Sequence, residues 1–219
     1  MITYTYFSQA IVQLDTQEVV RHELLLRMWD ADQKIWRLPD DFEITVAMQI
    51  KLMKRALRRL KVKNVSINLT PGQFADATVM EKIVEFVKTS PDLGSLTVEL
   101  TAEPTLEDIK TIGAEYRKNG VQLAIDDVGS DCDDFDVVEK LVPYVDCLKF
   151  ALQNMRAQGK MDNIEANIEQ WATLAKEHNT QFTFEGIESF NDLRLAKKFN
   201  AQNAQGFYFS HPAEPVQAH

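Results

Sequence analysis

Acidic and amide side chains recur inside or at the ends of short apolar runs in this chain. Glu23 lies within Val19–Met28, Asn68 within Val65–Leu69 and Glu99 within Leu96–Thr101. Gln122–Asp127 ends on Asp126-Asp127, and Gln181–Glu185 ends on Glu185. A carboxylate in otherwise buried surroundings costs free energy unless it is paired or binds metal. Lys149 interrupts the apolar run Asp146-Cys147-Leu148-Lys149-Phe150. Taken singly, each has an ordinary explanation. Asn68 or Glu99 can be a satisfied buried polar group. Asp-Asp before Gly129-Ser130 is turn chemistry, and Lys149 can snorkel from an edge. Glu188, three residues after Glu185, fits a helix entry. Their recurrence on successive runs points to chemistry. The acids, the amide and the lysine together form an oxygen-rich set suited to Mg2+ or Mn2+. Two such ions can hold a phosphodiester, activate a bridging water and stabilise the leaving oxygen. Because side chains alternate along a strand, Asp126 and Asp127 are expected to point in different directions, one bridging two ions and the other binding one.

The elements that position these residues alternate. An extended pair, about Gln9–Asp15 and Val19–Met28, is joined by a polar turn at Asp15-Thr16-Gln17 and reads as a hairpin. A helix follows over about Asp41–Leu60. Strand–helix units come next: Val65–Leu69 with Val79–Thr89, Leu96–Thr101 with Leu106–Asn119, and Gln122–Ile125 with Phe135–Leu141. Cys147–Phe150 with Ile164–His178 and Gln181–Phe184 with Phe190–Phe199 complete the series, and a short strand over about Asn203–Tyr208 closes it. Apolar residues at helical spacing mark the helices, and Gly120 stops the third of them. Short apolar strands suit a parallel sheet buried on both faces. Repeated strand–helix units imply α/β, and no Gly-rich phosphate loop follows the first strand, which argues against a Rossmann fold. A barrel explains why polar residues gather at strand ends, since barrel active sites lie at the C-terminal ends of strands. The opening hairpin makes at least one strand antiparallel.

Composition sets outer limits. With 219 residues, 45% hydrophobic and 26% charged, the chain has the profile of a soluble globular protein, and one domain over 1–219 is expected. No apolar stretch is long enough for a membrane segment. Met1-Ile2-Thr3-Tyr4 does not open a signal peptide. Cys132 and Cys147 make neither a metal spacing nor a disulfide framework, so a cytoplasmic setting is expected. A net charge of −9, from 33 acids and 24 bases, argues against binding long nucleic acid. It leaves a small phosphorylated ligand open, since bound metal inverts the local field. The basic run Lys51–Lys63 reads as the solvated face of an amphipathic helix.

The ordered motifs resemble the EAL-domain phosphodiesterases of cyclic di-GMP, from about Tyr6 to Pro212. The signature Glu-Ala-Leu-x-Arg appears as Glu23-Leu24-Leu25-Leu26-Arg27, and Asn-Leu-Ser/Thr as Asn68-Leu69-Thr70, followed by Gln73-Phe74. Glu-Leu-Thr-Glu appears as Glu99-Leu100-Thr101-Ala102, and Asp-Asp-Phe-Gly as Asp126-Asp127-Val128-Gly129. Lys-Ile-Asp appears as Lys149-Phe150-Ala151, Glu-Gly-Val-Glu as Glu185-Gly186-Ile187-Glu188, and Gln-Gly-Tyr as Gln205-Gly206-Phe207. The resemblance implies a modified (β/α)8 TIM-like barrel with an antiparallel first strand. It implies hydrolysis of cyclic di-GMP to linear pGpG with two Mg2+ or Mn2+ ions. Carried over by position, Glu23, Asn68, Glu99, Asp126, Asp127 and Glu185 would hold the metal. Lys149 would orient the attacking water and offset transition-state charge, and Glu185 would be the general base where one is needed. Glu188 and Gln205 would support the bound waters and Lys149. Arg27 would hold a ligand phosphate, with Gln205 on the substrate side. A homodimer through the face near the loop after Asp127 is the assembly the resemblance suggests.

Four positions depart from the pattern. Leu24 replaces the signature alanine, and Ala102 a glutamate that steadies the loop after Asp126-Asp127. Val128-Gly129-Ser130-Asp131 replaces Phe-Gly-Thr-Gly, so that a Cβ at Asp131 disfavours positive φ there. Ala151 replaces an aspartate. None removes a predicted metal ligand. The alternative reading is a weak or inactive relative that binds cyclic di-GMP or a protein partner.

Overall fold

The computed structural model describes residues 3–215; positions 1–2 and 216–219 of the expected domain lie outside the described residues. Alternating side chains build its strands. Val65, Ile67 and Leu69 are fully buried, as are Leu96 and Val98, and they join the hydrophobic core. The residues between them, Ser66 and Asn68, Thr97 and Glu99, fall on the opposite strand face. Every strand of the parallel series repeats this division. The apolar face packs against helices and the polar face lines the barrel. Both faces are buried, as expected of a parallel sheet, and the interior one carries Ser66, Thr97, Ala124, Cys147 and Thr183, small or polar.

In chain order the elements are β1 (Tyr4–Gln13), β2 (Val19–Asp30), β3 (Ile35–Arg37), α1 (Val46–Leu57), β4 (Asn64–Leu69), α2 (Pro71–Ala75) and α3 (Ala77–Thr89). Then follow β5 (Ser95–Leu100), α4 (Leu106–Lys118), β6 (Val121–Val128), α5 (Phe135–Leu141), β7 (Cys147–Ala151), α6 (Leu152–Ala157), α7 (Ile164–Glu177), β8 (Gln181–Glu185), α8 (Phe190–Lys198) and β9 (Asn203–Gln205). From β2 through β4–β9 the neighbours pair in parallel. β1 pairs antiparallel with both β2 and β9 and so closes an eight-stranded ring. This is the modified (β/α)8 barrel expected, with β1 as its antiparallel strand. β3 extends β2 outside the ring. The helices pack on the outside, as in other α/β barrels.

The differences from the expected elements have local causes. The first helix begins at Val46 rather than near Asp41, because Thr45 is extended and its side chain accepts from the Met48 N–H. Pro71–Ala75 is helical because Thr70 and Gln73 form a capping box. The last strand stops at Gln205, where Gly206 turns the chain and Tyr208 N–H donates to the Ile187 carbonyl. Between β7 and α7 lies an unexpected helix, α6, anchored by buried Leu152 and Met155. The first part of the basic run is as read, with Leu52, Met53, Ala56 and Leu57 buried on α1 and Lys51, Lys54 and Arg55 exposed. Arg58, Arg59, Lys61 and Lys63 lie past the helix end, where the Lys63 ammonium donates to the Leu57 carbonyl. Among the described residues no helix is long and apolar enough to cross a membrane.

Candidate metal centre

Around the C-terminal ends of the parallel strands, polar residues from all eight strands of the ring meet. Glu23 on β2 is 6% exposed and fully committed to hydrogen bonds. Its Oε1 accepts from Asn68 Nδ2 on β4 at 2.8 Å, and its Oε2 from Gln205 Nε2 on β9 at 2.7 Å. Gln205 also donates to Gln9 Oε1 at 3.1 Å. The antiparallel register of β1 and β2 sets Gln9 opposite Glu23. Sequence reasoning missed Gln9. Its signal was an inward position on the strand facing Glu23.

Lys149 on β7 is the hub, 2% exposed. Its Nζ lies 2.8 Å from Glu99 Oε2, 3.1 Å from Asp126 Oδ1, 2.7 Å from Glu185 Oε1 and 3.9 Å from Glu23 Oε2. Of the two readings of this lysine, the cation held among acids is the one found. Glu185 Oε1 is close but outside hydrogen-bond geometry, and it is a buried oxygen with no donor among the described residues.

The Asp126-Asp127 pair corrects an expectation. Asp127 is left-handed, with φ 55°. That twist brings its carboxylate back toward its neighbour's instead of sending the two apart. Asp126, Asp127 and Glu185 each offer an oxygen within 4.8 Å of the others. Glu23, Glu99 and Asp126 form a second such group. Asp126 belongs to both.

Burial and mutual repulsion set the protonation of the metal-free cluster. Desolvation, with the charges of Glu23 and Asp126 and against Lys149, pushes Glu99 up to about 8. Desolvation and the Asp126 charge push Asp127 up to about 7. Burial also raises Asp126 and carries Glu185 well above the carboxylate range, despite Lys149. Glu23 goes the other way. Its burial is outweighed by Lys149 and by the hydrogen bonds it makes, those from Gln205 and Asn68 among them. Lys149 is held charged: desolvation opposes this, but Asp126, Glu185, Glu23 and Glu99 together override it. The set carries more acid than one lysine balances, which suits a divalent cation.

The remaining predicted residues lie around this centre. A cavity of about 410 Å3 is lined by Glu23, Asp126, Asp127, Glu185, Glu188 and Gln205. Glu188 is at its exposed rim, 3.8 Å from Arg156 rather than beside Lys149. Arg27, four residues along from Glu23 on the same strand face, donates to the Leu26 carbonyl and stacks over Phe7. It lines a neighbouring apolar cavity of about 380 Å3 with Asn68, Thr70 and Gln73. Leu25 borders both cavities. Leu24, at the signature alanine, is core, 1% exposed.

The altered loop closes tightly. The Asp127 carbonyl accepts from the Ser130, Asp131 and Cys132 N–H groups and from Ser130 Oγ. The left-handed positions fall on Asp127 and Gly129, not on Asp131, so a Cβ at Asp131 causes no strain. At Gly129 a Cβ would lie 2.7 Å from Trp171 Nε1. Ala151 starts α6 with no side-chain cap.

Three comparisons bear on this centre. The family model described as "EAL domain" matches residues 4–212. A probable cyclic di-GMP phosphodiesterase of Escherichia coli, PdeD, is 24% identical over 95% of this chain and 41% of its own length. YkuI of Bacillus subtilis, an uncharacterized EAL-domain protein, is 25% identical over 95% of this chain and 54% of its own. The chain thus spans about half or less of these relatives. The YkuI structure, in complex with cyclic di-GMP and calcium, superposes with a TM-score of 0.78 at 21% identity, over 98% of this chain and 56% of that one. An EAL-domain protein of Listeria monocytogenes gives 0.80 at 22% identity, over 96% of this chain and 89% of that one.

Proposed function

The chain belongs to the EAL domain family, and we propose that it is a single EAL-type domain, 1–219, that hydrolyses cyclic di-GMP to linear pGpG with two Mg2+ or Mn2+ ions. The observation that carries this reading is the pair of buried carboxylate groups sharing Asp126, with the Lys149 ammonium among them. Glu23, Asn68, Glu99, Asp126, Asp127 and Glu185 would hold the ions, which when bound would polarise the phosphodiester and acidify water. Asn68 and Gln205 fix the Glu23 carboxylate. Lys149 Nζ donates to the attacking water and offsets charge developing on the phosphoryl oxygens. Where a separate base is needed, Glu185 in its deprotonated, metal-loaded form would take the water's proton. The new P–O bond forms as the bond to the leaving ribose oxygen breaks, and that oxygen departs with the proton. Arg27 meets a ligand phosphate with its two-pronged guanidinium, Gln205 borders the substrate, and Glu188 holds outer waters at the rim. A cytoplasmic setting and a homodimer belong to the same proposal.

Incubation of purified protein with cyclic di-GMP, followed by chromatography, tests it. Mg2+ or Mn2+ is expected to yield pGpG and Ca2+ is not. Ala102, which stands where the family pattern has a loop-steadying glutamate, favours a second reading: a receptor that binds the nucleotide without turning it over. Tight binding with no product in either metal would replace the first reading by the second.

A further inference from the structure

We infer that the segment Leu152–Lys160, α6 and its following turn, is a clamp that sets the spacing of the Asp126–Asp127–Glu185 group, with Arg156 as its chief positioning residue. The inference rests on the proposed metal-dependent reading and concerns how this chain holds one of its two carboxylate groups.

The acids of that group stand at the ends of β6 and β8, and each strand end runs straight into a loop. Both loops are tied to this segment. Arg156 Nη1 donates to the Gly186 carbonyl at 3.0 Å, next in chain to Glu185. Its Nη2 bonds Asp192 on α8. Asp192, 7% exposed, accepts in turn from the Glu188 and Ser189 N–H groups. Gly186, at φ 71°, passes so close that a Cβ there would lie 2.5 Å from the Gln153 backbone nitrogen. On the other side Gln158 Nε2 donates to Asp131 Oδ1 at 2.8 Å. Lys160 Nζ reaches the Ser130 carbonyl at 3.3 Å and Asp133 at 3.1 Å. These contacts hold the turn that follows the left-handed Asp127. Glu23 and Glu99, which with the shared Asp126 form the other group, take their hydrogen bonds from Asn68, Gln205 and Lys149 instead. Outer contacts of this kind change metal affinity by about 10–100-fold when removed.

Titration of the full chain with Mn2+ alone, followed by electron paramagnetic resonance, reads the two groups separately from turnover. In Arg156→Met one class of site is expected to weaken by about 10–100-fold while the other keeps its wild-type affinity. Arg156→Lys should recover part of the loss, and Gln158→Ala, on the exposed side, should weaken the same class less. Thermal melts in chelator check that each variant is folded. Arg156→Met and Gln158→Ala both binding two ions as wild type does would overturn the clamp, as would equal weakening of both classes. Wild-type protein that binds Mn2+ in two classes without turnover would sink the hydrolytic reading and leave the clamp to stand on the titration.

Discussion

The two mouths of this barrel are built from the same strands yet hold opposite chemistry. β2 gives Arg21 to the N-terminal mouth and Glu23 to the C-terminal one, β5 Ser95 and Glu99, β6 Gln122 and Asp126, β8 Gln181 and Glu185. The N-terminal cavity is the larger, about 770 Å3 against about 410 Å3. Half of its lining residues are amides, and several of them satisfy their neighbours. Gln122 Oε1 accepts from Arg21 Nη2 at 2.6 Å and from Thr97 at 3.2 Å, and Asn64 Nδ2 donates to the Val20 carbonyl. The C-terminal mouth instead gathers five carboxylates around one lysine. Amides join strands without net charge, so such a mouth closes a barrel and needs no ligand. Buried acids in excess hold only if protons or cations join them. Cavity size therefore misleads here, and unbalanced buried charge locates the chemistry.

The largest expected effect removes a carboxylate that only the C-terminal mouth uses. Glu23→Ala should bring pGpG formation below detection, since it deletes a ligand and strands the donors of Asn68 and Gln205. Product chromatography checks this, and unimpaired turnover would show that the cluster is not the metal centre. Lys149→Met tests the same mouth through stability. Removing the partner of buried ions costs about 3–5 kcal/mol, so the metal-free variant should melt well below wild type in chelator. Mg2+ or Mn2+ should restore part of the loss by supplying the missing positive charge. A Lys149→Met protein with wild-type melting in chelator would mean that the acids are already neutral.

A smaller effect comes from pH. Glu99 near 8 and Asp127 near 7 are raised above the ordinary carboxylate range. A raised carboxylate adds stability that is full at low pH and is lost as pH climbs through the folded value. The metal-free protein should thus lose melting temperature between about pH 5 and pH 8.5. Metal needs the deprotonated ligands, so the gain in melting temperature on adding Mg2+ should grow over the same range. Calorimetric melts with and without metal test both slopes. A metal-free protein whose stability rises across this window would contradict the crowding of these acids.

How much of this could be read from sequence depends on the range of the contact. The ligand-bearing strands were legible, because each acid interrupts an apolar run of strand length. The closed ring with one antiparallel strand followed from the opening hairpin and the repeated strand–helix units. Asp127 was misread because a left-handed turn overrides strand alternation, and that turn depends on hydrogen bonds from three following residues. β3 and α6 were missed because they are short: three and six residues leave little periodicity. Arg156 meets Asp192 across 36 positions of sequence, and no local pattern announces such a pair. Residues that bear chemistry are thus visible in a single chain, whereas those that hold them in place emerge with the fold.

The smallest expected effect completes the comparison from the opposite mouth. Arg21 donates to Gln122 across the N-terminal end, and its Nε is buried without an acceptor among the described residues. Arg21→Gln gives up that contact while keeping a polar side chain, and the net worth of one such hydrogen bond is about 1 kcal/mol. A drop of that order in unfolding free energy is expected from denaturant titration. Turnover should stay within about twofold of wild type, because the shift is confined to the end of the barrel that contributes stability rather than chemistry. Glu23 is only two residues further along the same strand, so this variant is a strict control. If turnover in Arg21→Gln fell as far as in Glu23→Ala, the two mouths would be one coupled unit, and the large amide-lined cavity would belong to the working site.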